Sequence, residues 1–214
     1  MPHEFDTAAF IDHVAALLHD IPAGSRQVIA IAGAPASGKS TIASRLNAHL
    51  NELDAGSTAL LPMDGYHYDD EMLVPRGLRP RKGAPHTFDV GGYASALKRI
   101  RANDEPWVAV PRFDRDLEIA RAGAIIIEHS VRLIVSEGNW LLLKDEPWPT
   151  LLPLFDHTVL VVADMETLTQ RNRDRWVGYD YTEDMIREKL EGNDMPNARL
   201  VYERSAEPDW IIRT

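Results

Sequence analysis

The chain has 214 residues, 44% hydrophobic and 26% charged, which excludes a disordered or fibrous polypeptide and suits one domain with its own core. Its 23 basic and 33 acidic residues leave a net charge of −10, so it lacks the basic face that nucleic acid demands, and with no cysteine it holds no disulfide, thiolate nucleophile or cysteine–zinc site. No apolar run approaches the ~18 residues of a membrane span, and residues 1–6 lack the basic start and apolar centre of a signal peptide; a cytoplasmic protein with no membrane insertion is expected.

Strand-like and helix-like stretches alternate, which suggests βα units and a mostly parallel sheet. Phe10, Ile11, Val14, Leu17 and Leu18 recur at helical spacing, with Asp6 or Thr7 as the cap, and the Pro22–Ser25 stretch breaks that helix. Residues 28–32 are short, branched and apolar on both faces, as a central parallel strand should be. A Gly-rich turn and a helix over 39–50 follow. Residues 59–64 read as a second strand despite Pro62, and 65–90, rich in Pro, Gly and Arg, as an excursion over the active face. Residues 92–101 read as a helix, with 107–111 and 124–127 as minor strands. Strong strands are expected at 131–135 and 157–162, helices at 166–175, 182–190 and 197–202, and a last short strand at 210–212.

The turn Gly33-Ala34-Pro35-Ala36-Ser37-Gly38-Lys39-Ser40 matches G-x-x-x-x-G-K-[ST] between a strand and a helix. Glycines let such a loop curl until its backbone N–H groups point at phosphate oxygens. Lys39 adds a point charge for the outer phosphates, the Ser40 hydroxyl can ligate Mg²⁺, and the following helix presents its positive end. The expected nucleotide-binding positions are Gly33, Ala34, Ala36, Ser37, Gly38, Lys39, Ser40 and Thr41.

A phosphate cradle does not choose the reaction; carboxylates at neighbouring strand ends can. Asp64 and Glu137 both end expected strands. Phosphoryl transfer to an alcohol needs one carboxylate near the acceptor hydroxyl and another group at the metal or its waters. Asp64 is assigned the first role and Glu137 the second, although an exchange would leave the reaction class unchanged. Arg171 and Arg175 stand four apart on one helical face and can close over phosphates as part of a lid spanning about residues 170–192, whereas Arg173 projects elsewhere. Arg76, Arg79, Arg81 and Lys82 form either a positive rim for an anionic ligand or a solvated loop. Trp140 is read as a wall of the acceptor pocket or as a core residue.

Six segments in this order carry a resemblance: the 33–40 loop, Met63-Asp64-Gly65-Tyr66-His67, Gly83-Ala84-Pro85-His86-Thr87-Phe88-Asp89, Pro111-Arg112-Phe113-Asp114-Arg115, Glu137-Gly138-Asn139-Trp140, and Asn193-Asp194-Met195-Pro196-Asn197-Ala198. From about residue 28 to 210 the chain resembles the uridine kinase, pantothenate kinase and phosphoribulokinase group of P-loop kinases, and within it the bacterial fructose transport system kinases. The resemblance implies a three-layer α/β/α fold with a parallel five-stranded core and a helical lid. It implies ATP, Mg²⁺ and transfer of the γ-phosphoryl group to a hydroxyl of a small molecule. By position, Asp64 stands for the base, Glu137 for the acidic residue near the metal, Arg171 and Arg175 for lid arginines, and Tyr66, His67, Asp89 and Arg115 for acceptor-site residues; Arg81, Arg112 and Trp140 complete the expected acceptor site. True uridine kinases differ here: Phe113 stands in place of their tyrosine, and no histidine soon follows Arg115. A sugar kinase is the leading expectation, and a nucleoside kinase or a nucleotide-gated ATPase attached to a transporter the alternatives; a second copy of the chain and a transporter are left open as protein partners.

Overall fold

The computed structural model describes residues 2–214. Strands β1 (His3–Phe5), β2 (Gln27–Gly33), β3 (Thr58–Pro62), β6 (Leu133–Gly138), β7 (His157–Val162) and β8 (Trp210–Arg213) form one parallel sheet in the order β1-β8-β7-β2-β6-β3. The sheet has six strands, where five were expected. The extra one, β1, is three residues long at an edge with His3 and Glu4 exposed, so it shows no apolar pattern.

Burial on both sides explains the uninterrupted apolar run of β2. Val28, Ala30 and Ala32 enter one core and Ile29 and Ile31 the other. The second core is covered by α1 (Thr7–Asp20) and α2 (Lys39–Leu53), which supply Phe10, Val14, Leu18, Ile42, Leu46 and Leu50. Asp6 caps α1, its carboxylate accepting the Ala9 N–H at 2.9 Å. The first core takes Tyr93, Leu97 and Ile100 from α4 (Val90–Ala102), together with Trp140 and Trp148. These three layers form the expected α/β/α fold.

The minor strands prove to be a long antiparallel hairpin, β4 (Trp107–Asp114) with β5 (Ile119–Glu128), separate from the main sheet. Pro111 sits where the register shifts between Val110 and Arg112, a place that tolerates a residue without a donor. The root of the hairpin is pinned by the buried Arg26. Its guanidinium donates to the carbonyls of Ile100 (2.7 Å), Glu128 (2.6 Å) and Val131 (2.8 Å).

The 65–90 excursion contains the short α3 (Asp70–Leu73) and single turns of 3₁₀ helix. Between β7 and β8, α5 (Met165–Val177) and α6 (Glu183–Lys189) run through a π-turn (Leu190–Asp194) into α7 (Met195–Arg204). Leu168, Ile186, Leu190, Met195 and Ala198 pack with Ala34 in a small third core, so this helical group is seated on the glycine loop itself.

Candidate active site

The 33–40 loop is a cradle that side chains would fill. A Cβ on Gly33 would lie 2.5 Å from Ser37 Oγ and 2.9 Å from the Val161 carbonyl, so only glycine closes the curl. Ala36 (φ 63°) and Gly38 (φ 91°) are left-handed, and two such residues two apart shape the concave backbone of an anion nest. Gly38 opens α2 without a side-chain cap, which leaves the first amides and the positive end of the helix for an anion. Arg171 Nη1 donates to Thr214 Oγ1 at 2.9 Å, and that hydroxyl donates to the Ser37 carbonyl at 3.0 Å, bracing the crest of the loop.

The register of the sheet sets Glu137 beside this cradle: it pairs with Ile31 of β2 on one side and Pro62 of β3 on the other. Ser40 Oγ donates to Glu137 at 2.8 Å. Burial holds the Glu137 carboxyl above the usual range, against the pull of Lys39. Burial also lowers the Lys39 ammonium, which Glu137 and Asp64 oppose.

Asp64 lies two residues beyond β3, in the 3₁₀ turn Met63–Tyr66, and ion-pairs with Arg115 from the β4–β5 turn. Two close approaches build this corner. A Cβ on Gly65 would stand 2.4 Å from the Pro111 carbonyl, and one on Gly138 would stand 2.4 Å from the Met63 side chain. Burial raises the Asp64 carboxyl, but neighbouring positive charge outweighs it and the net direction is down. His67 lowers it only when protonated, and burial keeps His67 below its ordinary pKa. Arg115, which also hydrogen-bonds the carboxylate, and Lys39 pull in the same direction as a protonated His67.

The far half of the cleft is aromatic. His67 lies 4.1 Å from the Phe88 ring and 4.7 Å from the Phe113 ring, and all three line the cavity. His67 Nδ1 is 2.7 Å from the Asp64 carbonyl, which can only accept. The neutral ring therefore carries its proton on Nδ1 and leaves Nε2 as an acceptor. Three cations beside these rings are paired: Arg79 and Lys82 bond Asp70 at 2.6 and 2.8 Å, Glu118 is 3.9 Å from both, and Arg115 has Asp64. Cradle and aromatic half form one cleft of about 930 Å³.

The chain is similar along most of its length to known proteins. It is 31% identical over 202 residues to the Escherichia coli protein YggC, covering 94% of this chain and 83% of that one. It is 30% identical over 195 residues to a Schizosaccharomyces pombe protein provisionally named a uridine kinase, covering 88% and 83%. A crystal structure from Silicibacter sp. TM1040, provisionally described as a fructose transport system kinase, superposes with a TM-score of 0.87 at 35% identity over 97% of this chain and 98% of that one. The chain belongs to the uridine kinase-like group of P-loop kinases. No family model matches it.

This P-loop kinase uses ATP with Mg²⁺, and the residues present fit both. The nest and open helix end suit a polyphosphate, and the Ser40–Glu137 pair offers the hard oxygens that Mg²⁺ takes alongside phosphate. Of the expected site residues, Ala36, Gly38, Lys39, Ser40, Thr41, Asp64, His67, Arg115, Arg171 and Arg175 line the cleft. Glu137 stands behind Ser40, while the buried Gly33, Ala34 and Ser37 serve through the backbone that shapes the loop.

Five expected acceptor residues lie elsewhere in this kinase. Trp140 is fully buried, its Nε1 donating to the Gly83 carbonyl at 3.0 Å, so it supports the cleft from the core. Tyr66 is buried edge-on against Tyr93, 4.8 Å between centroids. Asp89 caps α4, accepting the Gly92 N–H at 2.8 Å. Arg112 is exposed, the neighbour in β4 of the inward Phe113. Arg81 reaches away to the Gly192 carbonyl and to Asn197. In their place the cleft gains Arg79, Lys82, Phe88, Phe113, Glu118, Asn139, Trp176 and Asn193. Phe88, Phe113, Asn139 and Asn193 lie inside the segments that carry the resemblance, and only packing decides which members of those segments face inward. Arg173 pairs with Glu183 at 2.5 Å outside the cleft, as its helical position predicts.

Proposed function

We propose that this kinase transfers the γ-phosphoryl group of ATP to a hydroxyl of a small neutral polyol, a sugar such as fructose, in the cytoplasm. The observation that carries the reading is Asp64, on the rim between a phosphate cradle and an aromatic half-cleft. A neutral acceptor is favoured because Arg79, Lys82 and Arg115, the cations beside the aromatic rings, already have carboxylate partners, and an apolar ring face suits the C–H side of a sugar. The description of the Silicibacter protein supports a sugar, and the S. pombe name leaves a nucleoside as the competing acceptor.

Bound MgATP supplies the phosphoryl group and the counter-charge of the metal. The loop amides and the α2 terminus hold the phosphate chain, with Lys39 as its point charge. Glu137 accepts from the Ser40 hydroxyl and so turns its oxygen lone pairs toward the metal position. Asp64 accepts the proton of the acceptor hydroxyl. Its lowered pKa makes it a weak base, which suits a loose transition state in which the proton leaves late. His67 Nε2 accepts from a second acceptor hydroxyl, while Arg171 and Arg175 offset charge at the phosphate end as residues 170–192 close over one kinase domain.

The test is an ADP-release screen with sugars, nucleosides and pantothenate, run beside Asp64→Asn. Release stimulated by a neutral sugar supports the reading. In Asp64→Asn, turnover falls by about 10²–10⁴ while affinity for a non-hydrolysable ATP analogue holds. A chain stimulated only by nucleosides overturns the sugar assignment, and an Asp64→Asn that loses nucleotide binding moves Asp64 to the donor side.

A further inference from the structure

The Asn193–Ala198 motif, left without a role above, contains a buried carboxylate that the phosphoryl-transfer scheme does not use. Asp194 ends the π-turn, and its side chain is 5% exposed. It accepts from Trp176 Nε1 at 2.6 Å and from Arg175 Nη2 at 3.1 Å. The Arg175 guanidinium also lies 4.5 Å from the centroid of the Trp176 ring, and Trp176 stacks on Tyr181 at 5.1 Å. Arg175 is therefore held from two directions, by a carboxylate and by an indole face. Among the described residues its one hydrogen bond runs from Nη2 to Asp194; the Nε is buried without a partner, and Nη1 has no protein partner in a side chain that lines the cleft.

The turn that carries Asp194 is itself tied to the opposite wall. Arg81 donates to the Gly192 carbonyl and, at 3.3 Å, to Asn197 Oδ1; Asn193 Nδ2 donates to the Lys82 carbonyl at 3.0 Å. Interruptions of this kind in a helix occur often at functional sites, where they re-aim a side chain. Here the extra residue of the turn brings Asp194 under Arg175 while Asn193 faces the acceptor loop.

We propose that Asp194 is a positioning residue for phosphoryl transfer: through Arg175 and Trp176 it fixes the cationic wall of the phosphate end, and the π-turn joins that wall to the acceptor loop at residues 79–83. The proposal rests on the kinase reading above but concerns a residue outside its chemistry. A guanidinium free to rotate would bind phosphate in many poses and stabilise the transition state in few.

The test is a double-mutant cycle read by ADP release from MgATP, with water and with D-fructose as acceptors, beside calorimetric affinity for the magnesium complex of AMPPNP. Asp194→Asn keeps the size and one oxygen. Turnover is expected to fall roughly 30-fold or more, with analogue affinity within about threefold. Arg175→Ala falls comparably, and the double variant lies within about threefold of Arg175→Ala alone. Full turnover in Asp194→Asn overturns the proposal, as does a double variant slowed by the product of both effects. Arg81→Ala, a change at a half-buried position, covers a failure of Asp194→Asn to fold. It should lower turnover about fivefold in the wild-type background and not in Arg175→Ala; an equal loss in both backgrounds overturns the link. A wild-type chain that binds the analogue but releases no ADP counts against the kinase reading instead. Asp194 is then decided by fluorescence: the Trp176 component, identified with Trp176→Phe, changes on analogue binding in wild type and not in Asp194→Asn, and its persistence there overturns the proposal.

Discussion

Replacing Gly65 by alanine tests whether the β4–β5 hairpin delivers Arg115 to Asp64. The added Cβ would lie 2.4 Å from the Pro111 oxygen, 2.7 Å from its carbonyl carbon and 3.2 Å from the Arg112 nitrogen. All three are backbone atoms, so no side-chain rotation relieves the clash. Ordinary contact begins at 3.4 Å, so the hairpin must retreat by about 1 Å. Overpacking of this kind costs about 1–3 kcal/mol. Arg115 lies four residues beyond Pro111 on the same ribbon, so the shift reaches the Asp64 ion pair, and a displacement of about 1 Å near the reacting groups can cost about 100-fold in rate. The loop at 33–40 hangs on a different strand, so nucleotide affinity should hold. Urea unfolding reads the stability, acceptor-stimulated ADP release the rate, and calorimetry the nucleotide. Gly91→Ala is the control: its nearest neighbour would be 3.7 Å away on an exposed helical position, and alanine there should stabilise by about 0.5–1 kcal/mol. A Gly65→Ala protein as stable and as fast as wild type would show that the hairpin does not set the Asp64 corner.

Lys39→Ala should abolish measurable ADP release while the far-ultraviolet circular dichroism stays unchanged; retained turnover would remove the loop from the reaction. Burial holds the His67 pKa down, so between the folded value and 6.5 the unfolded chain binds more protons and stability rises with pH. The contribution of His67 is thus present above about pH 6.5 and lost on acidification; the urea midpoint of His67→Gln should fall less between pH 7 and pH 5 than that of wild type, and an NMR titration of His67 with a midpoint at or above 6.5 would contradict this. Trp140→Phe should cost about 1–3 kcal/mol, from the lost bond to the Gly83 carbonyl and the space left behind. Unchanged stability with a raised acceptor KM would return Trp140 to the pocket wall.

The cradle was legible in the chain because it is local. Gly33, Gly38, Lys39 and Ser40 are neighbours, and a strand that is apolar on both faces followed by a helix leaves them one arrangement. Asp64 and Glu137 were legible almost as directly, since parallel strands end on one side and adjacent strands bring their last residues together. Spacing on α5 likewise separated Arg173 from Arg171 and Arg175. The acceptor half was different: Tyr66 and His67 are adjacent, as are Arg112 and Phe113, yet one of each pair faces the cleft and the other does not. Trp140 and Asn139 divide the same way, and Arg81 turns its back on the cleft that Lys82 lines. Backbone hydrogen bonding and helix ends are properties of short segments and can be read from them. The orientation of a side chain in an irregular segment is settled by what packs behind it, here a hairpin and a π-turn contributed by parts of the chain far away in sequence, and only the folded structure brings those together.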